Sequence, residues 1–258
     1  MLHLRQLLPL ALLPLLAHAA AQPETAAAAG ARHLAHGEPF AAIKSFEEAI
    51  KLAPTDGELH RQLGEACLLA AREAGMLSKP GWAKKSLRAY EKAVELAPDN
   101  LAARLGLMSY YQNAPGLFGG DPAKAQAQAD AIKQRDATRG HVAFAMLKIG
   151  DKHYPAARAE LDAALRLTPA DYGALFQLGR LTAVTGESPE AGIAALRKCL
   201  TLPPAAGAPG HDAAHWRLGN ILEHTGDKAA ARAAYEAALA VNPNFQSAKE
   251  ALAKLAAP

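Results

Sequence analysis

The sequence predicts an all-α protein, a stack of about six antiparallel helix pairs closed by one further helix. Three observations predict it. Pro54, Pro98, Pro169, Pro203 and Pro243 each end a similar phrase, and Pro169 and Pro203 stand 34 residues apart, the period of a helix–turn–helix unit. The clearest phrase runs His215-Trp216-Arg217-Leu218-Gly219-Asn220, then Gly226-Asp227, Ala231, Tyr235, Ala238 and Pro243. Apolar residues make up 50% of the 258-residue chain, and Ala, the strongest helix former, is abundant, so a packed helical fold is favoured over disorder.

The elements follow in chain order. Residues 1–21 read as a secretory signal: Arg5 gives a positive start, Leu7 to Leu16 an apolar core, and Ala17, Ala19, Ala20 and Ala21 a small-residue stretch with cleavage after Ala19 or Ala21. The competing reading is a retained anchor. The apolar run is shorter than the roughly 20 residues that span a bilayer, and Pro9 and Pro14 interrupt it. The mature chain is therefore expected to be soluble in a periplasm, with no integral membrane segment.

The first unit, near 23–56, carries Gly30, Gly37-Glu38, Ala42, Phe46, Ala49 and Pro54. The second, near 57–100, has Leu63-Gly64 and Cys67, then Tyr90, Ala93 and Pro98. An extra stretch, Arg72 to Gly81, separates its helices. Residues 101–171 depart from the pattern but hold two more units. Leu101, Leu105, Met108 and Tyr110 or Tyr111 make a helix face, and Ala114 to Gly120 a long turn. Asp121-Pro122 starts a helix with a capping carboxylate and a proline at the first position. The next unit has Gly150-Asp151 as its turn, a two-residue insertion at Lys152-His153, then Ala157, Leu161, Ala164 and Pro169. The fifth unit, near 172–205, has Leu178-Gly179, Gly186-Glu187, Ala191, Ala195 and Pro203, and a turn-rich insertion runs from Pro203 to Gly210. The sixth, near 212–245, is the phrase quoted above. Residues 246–258 read as a capping helix and tail, with Ala248, Leu252 and Leu255 on one face.

These spacings have causes. Small residues let two helices approach closely, and the aromatic of the second helix fills the gap to the next hairpin. Proline stops the second helix, because it lacks an N–H and clashes with the preceding turn. In these residues and spacings the chain resembles the tetratricopeptide repeat family over roughly residues 24–245. The resemblance implies a right-handed α-solenoid whose first helices line an inner, concave face. It also implies that binding falls to inner positions: Arg61 and Glu65 in the second unit, Phe176 and Arg180 in the fifth, Trp216, Asn220 and Glu223 in the sixth. Some members of the family grip a partner's terminal carboxylate with Lys, Asn and Arg on three successive first helices. That set is incomplete here, since Ala213 stands where a basic residue is needed, although Arg180 and Asn220 together suit a carboxylate.

Other chemistries find little support. The net charge is +3, with no basic tract of the kind nucleic acid requires. His211 and His215, and His33 and His36, supply two ligands each, whereas a tight zinc site takes three or four. Gly119-Gly120-Asp121-Pro122 reads as a structural turn rather than a phosphate cradle, because Asp121 already places an anion there. No nucleophile elbow occurs. Cys67 and Cys199 lie about three units apart, too far to bridge, and are expected as buried thiols. The reading is a non-catalytic periplasmic adaptor without cofactor or metal, binding a protein or peptide of the envelope in its groove. The alternative is a ligand- or lipid-handling subunit of an envelope transport system, its long turns closing over a cavity.

Overall fold

The computed structural model of the chain describes residues 23–256; the expected signal segment, residues 1–21, lies outside them. Among the described residues there are thirteen α-helices and no strand. They are α1 (Pro23–Ala35), α2 (Pro39–Leu52), α3 (Gly57–Glu73), α4 (Lys79–Leu96), α5 (Leu101–Asn113), α6 (Pro122–Arg135), α7 (Ala137–Gly150), α8 (Tyr154–Leu167), α9 (Tyr172–Thr185), α10 (Pro189–Cys199), α11 (His211–His224), α12 (Lys228–Val241) and α13 (Gln246–Ala256). A short 3-10 turn, Gly116–Phe118, lies between α5 and α6. The fold is an α-solenoid: α1 to α12 pack as six successive hairpins, and α13 packs on α12.

The ends of these helices are written in the residues. The Asp56, Asn100, Asp136 and Asp171 side chains accept backbone N–H bonds at the starts of α3, α5, α7 and α9. Proline occupies the first turn of α2, α4, α6, α8 and α10, where its missing N–H costs nothing. Pro54, Pro98, Pro169 and Pro243 each stand two residues beyond a second helix. Ala137 breaks that series because one residue makes the whole connection: Asp136 closes α6 and caps α7.

In four hairpins, α1/α2, α3/α4, α9/α10 and α11/α12, a glycine of the first helix faces a large side chain of the second. A Cβ on Gly30 would lie 2.6 Å from Phe46, on Gly179 2.2 Å from Leu196, and on Gly219 2.4 Å from Tyr235. Phe46, Leu161, Leu196 and Tyr235 are fully buried and form the repeating core.

Two readings of local register are corrected. Lys152-His153 is not an insertion. Lys152 takes a left-handed φ of 61°, as Gly37 and Gly226 do in their turns, while Gly150 stays inside α7. The glycine that signals the turn elsewhere is a lysine here, so the turn is strained but the unit has regular length. The extra residues at 72–81 do not form a long loop either. Half of them lengthen α3 and α4 to 17 and 18 residues, leaving a five-residue turn, 74–78.

Successive first helices touch one another in the order α1, α3, α5, α7, α9, α11, whereas neighbouring second helices make no comparable contact. First helices therefore form the inner wall and second helices diverge outside. The stack also comes round on itself. Asn244 Nδ2 donates to the His36 carbonyl at 2.7 Å, and a Cβ on Gly37 would lie 3.2 Å from Asn244 Cβ.

Candidate functional site

The inner wall brings the residues proposed for binding onto α3, α9 and α11, but with different roles. Arg61 is 7% exposed. Its Nε and Nη2 donate to Glu58 at 2.7–2.9 Å, and its Nη1 donates to Glu65 at 2.9 Å. Asn100 Nδ2 donates to Glu58 from the next unit at 3.0 Å. Burial opposes the Arg61 charge, but Glu58 and Glu65 outweigh it and raise its pKa. Arg61 and Glu65 are thus already partnered, and the cluster braces α3 against α5.

Phe176 is 4% exposed and packs in the core with Leu175, Leu178 and Tyr172. Asn220 Oδ1 and Glu223 Oε2 lie 2.9 and 2.8 Å from the Tyr235 hydroxyl, whose single proton serves one of them at a time. Lys254 of α13 stands 3.6 Å from Glu223. Trp216 is half-buried and meets the Phe245 ring edge-on, 5.8 Å between centroids.

Arg180 differs from these. It is half-buried, and its one hydrogen bond is from Nη1 to Gln177 Oε1 at 3.2 Å, with no carboxylate partner among the described residues. Burial lowers its pKa. Beside it stands Arg217, a residue that the repeat pattern did not single out. Arg217 lies over the Trp216 ring at 4.2 Å and likewise has no ion pair among the described residues. Burial, and then the Arg180 charge, push its pKa down to about 10. Two guanidinium groups on adjacent first helices thus repel each other in a partly dry site, with an aromatic face beneath one. An anion would relieve that repulsion, and the planar forks suit a carboxylate. Arg217 was legible in the sequence only as a neighbour of Trp216. Its lack of a counter-charge depends on what the previous unit places opposite, and no local pattern reports that.

The Pro203–Gly210 insertion folds inward as a strap. Gly207 takes a φ of 76° and lies so near α5 that a Cβ there would be 3.0 Å from Ala102 Cβ. The Tyr172 hydroxyl donates to the Pro209 carbonyl at 2.8 Å, and His211 Nε2 lies 2.8 Å from the Leu202 carbonyl. Beneath the strap is a small cleft of about 50 Å³ that opens to solvent, lined by Leu101, Leu105, Val142, Arg139, Asp171 and Ala205 among others. The strap therefore covers the N-terminal ends of α5, α7 and α9 and leaves Arg180 clear of it.

Both cysteines are buried and unbridged, and burial pushes the Cys67 thiol up to about 12 and the Cys199 thiol up to about 11. His33 Nδ1 lies 2.6 Å from Glu38, and the Asp121 carboxylate caps α6. Among the described residues no three His, Cys, Asp or Glu side chains converge as metal ligands.

Comparison with known proteins agrees with this architecture. Profiles of the tetratricopeptide repeat match residues 142–207 and 212–245. A tetratricopeptide repeat protein from Parabacteroides merdae superposes with a TM-score of 0.53 at 18% identity, over 90% of this chain and 98% of that one. A chain of the APC/C hetero-tetramer Cut9–Hcn1 superposes with a TM-score of 0.55 at 15% identity, over 88% of this chain and 41% of that one. These likenesses concern the fold. No curated protein matches the sequence.

Proposed function

Because the chain belongs to the tetratricopeptide repeat family, we propose that it is a non-catalytic adaptor that holds an acidic segment of a partner protein against its inner wall. The observation that carries this reading is the pair Arg180 and Arg217 on the adjacent helices α9 and α11, near enough for one charge to act on the other and with no carboxylate partner among the described residues. Trp216 and the Arg217 stacked on it supply the kind of anchor that dominates protein interfaces. Gln177, 4% exposed, holds Arg180 in place through its amide oxygen. The signal-like segment at residues 1–21 supports a periplasmic setting, and no described helix is long and apolar enough to cross a membrane.

Of the seven residues proposed for the groove, Arg180 and Trp216 remain as contacts. Arg61, Glu65, Asn220 and Glu223 hold the wall in shape, and Phe176 packs behind it. A ligand- or lipid-handling role calls for an enclosed apolar cavity. The cleft beneath the strap opens to solvent and gives that role less support than the arginine pair gives to the adaptor.

The test is a titration with a Glu-rich peptide, read by Trp216 fluorescence. Hydrogen bonds to charged groups contribute about 1.5–3 kcal/mol each. Arg180→Ala and Arg217→Ala should each weaken binding by about tenfold to a hundredfold. A Lys-rich peptide of equal length should not bind. Equal affinity of wild type and the double variant would remove the reading.

A further inference from the structure

The edge of the stack where first helices turn into second helices carries a feature that the inner wall does not use. The 74–78 turn holds Met76 and Leu77, 90% and 99% exposed, and the neighbouring 3-10 turn holds Leu117, 84% exposed. The two turns belong to adjacent hairpins, and the 3-10 turn packs against α4. Farther along the same edge Phe40, at the start of α2, meets Trp82 of α4 edge-on, with centroids 5.6 Å apart. The core contains none of Met76, Leu77 and Leu117. They project as separate tips rather than lining a face.

Charge surrounds the tips. Arg72, Lys79 and Lys84 are exposed and have no ion pair among the described residues, and Lys124 lies at the start of α6. The nearby acids are fewer. Glu73 is exposed, Asp121 is occupied in capping α6, and Glu47 is paired with Lys85 at 2.6 Å.

We propose that this edge docks on an anionic lipid bilayer, with Met76, Leu77 and Leu117 inserted among the lipids and Arg72, Lys79, Lys84 and Lys124 at the headgroups. Charge complementarity selects the occupant, since basic residues close to a bilayer are drawn to anionic lipid, and apolar tips beside them add burial. Part of the backbone of both turns is already paired internally. The Ser78 and Lys79 amides donate to the Gly75 carbonyl, Phe118 and Gly120 to Pro115, and Gly119 to Gly116. The Phe118 carbonyl accepts from the Tyr110 hydroxyl at 2.8 Å. The Met76, Leu77 and Leu117 amides have no acceptor among the described residues, so the turn backbone stays at the hydrated headgroup level and only the side chains reach the acyl chains. A protein partner would find three isolated tips instead of the contiguous apolar patch that usually marks such a surface.

The experiment uses the full chain with Trp216→Phe, which leaves Trp82 as the reporter, and vesicles of phosphatidylglycerol and phosphatidylcholine whose acyl chains are brominated. Quenching of Trp82 is expected on the mixed vesicles, with at least tenfold weaker binding to phosphatidylcholine alone. The triple variant Met76→Ser, Leu77→Ser, Leu117→Ser changes only exposed side chains and should keep the helical circular dichroism while losing the quenching. Two results would overturn the proposal: Trp82 left unquenched on vesicle-bound protein, or equal quenching in the triple variant. A wild type that is dimeric without lipid, and monomeric in the triple variant, would assign the edge to self-association and overturn it as well. The inner-wall titration keeps Trp216, and Met76, Leu77 and Leu117 lie outside that wall, so the triple serine variant leaves it unaffected and the two readings fail independently.

Discussion

Replacing Tyr235 with alanine tests whether stability is distributed unit by unit. Tyr235 is fully buried in α12, and its ring presses on the backbone of α11 at Gly219. Truncating a buried aromatic to alanine costs about 3–5 kcal/mol, because transfer and cavity costs add. In a compact globule that loss would fall on the whole molecule. In a stack whose units touch mainly their neighbours, with the Asn244–His36 contact and the 203–210 strap as exceptions, it falls chiefly on the last hairpin and the cap. Amide exchange of α11, α12 and α13 should then accelerate by about two to three and a half decades, while α3 to α7 keep their protection. Tyr235→Phe retains the ring and loses only the hydroxyl shared by Asn220 and Glu223, so about 1 kcal/mol should be lost and the same helices should respond, more weakly. Hydrogen-exchange mass spectrometry resolves these segments. Equal acceleration in α3 to α7 and in α11 to α13 would refute the argument, as would no acceleration anywhere.

Three further outcomes follow from the geometry. Tyr172→Phe removes the bond to the Pro209 carbonyl, worth about 1 kcal/mol, and should speed exchange of the Ala208 amide roughly fivefold while leaving α5 and α7 unchanged. His215 has a pKa lowered from 6.5, mainly by burial and further by His211, with Asp212 opposing. The unfolded chain therefore takes up its proton first, and stability falls as pH drops below 6.5 toward the lower folded value. In urea titrations across that window His215→Gln should show a shallower loss than wild type. Cys67 and Cys199 should resist a thiol reagent at pH 8 in the native protein, and both should react after denaturation, because each is fully buried with a raised pKa.

The helices were legible because their punctuation is chemical. Asp56, Asn100 and Asp171 cap, Pro39, Pro122 and Pro189 open second helices, and Pro54, Pro98 and Pro169 close them. Register failed where a residue did another's work: Lys152 adopts the left-handed turn that Gly150 was expected to make. The binding residues were less legible. Arg61 and Arg180 both stand on first helices, three residues before Gly64 and one after Gly179, yet Glu58 and Glu65 neutralise one, and no carboxylate among the described residues neutralises the other. That difference depends on neighbours a turn away or a unit away. The inward course of the 203–210 strap and the meeting of Asn244 with His36 are contacts of long sequence separation, which no repeat pattern encodes.

The central claim is that the inner wall of first helices receives the partner. A photoreactive residue replacing Val184, exposed on α9 one helical turn beyond Arg180, should cross-link a bound Glu-rich peptide; the same residue replacing Arg232, exposed on α12, should not. A peptide adduct at position 232 with none at 184 would contradict the account.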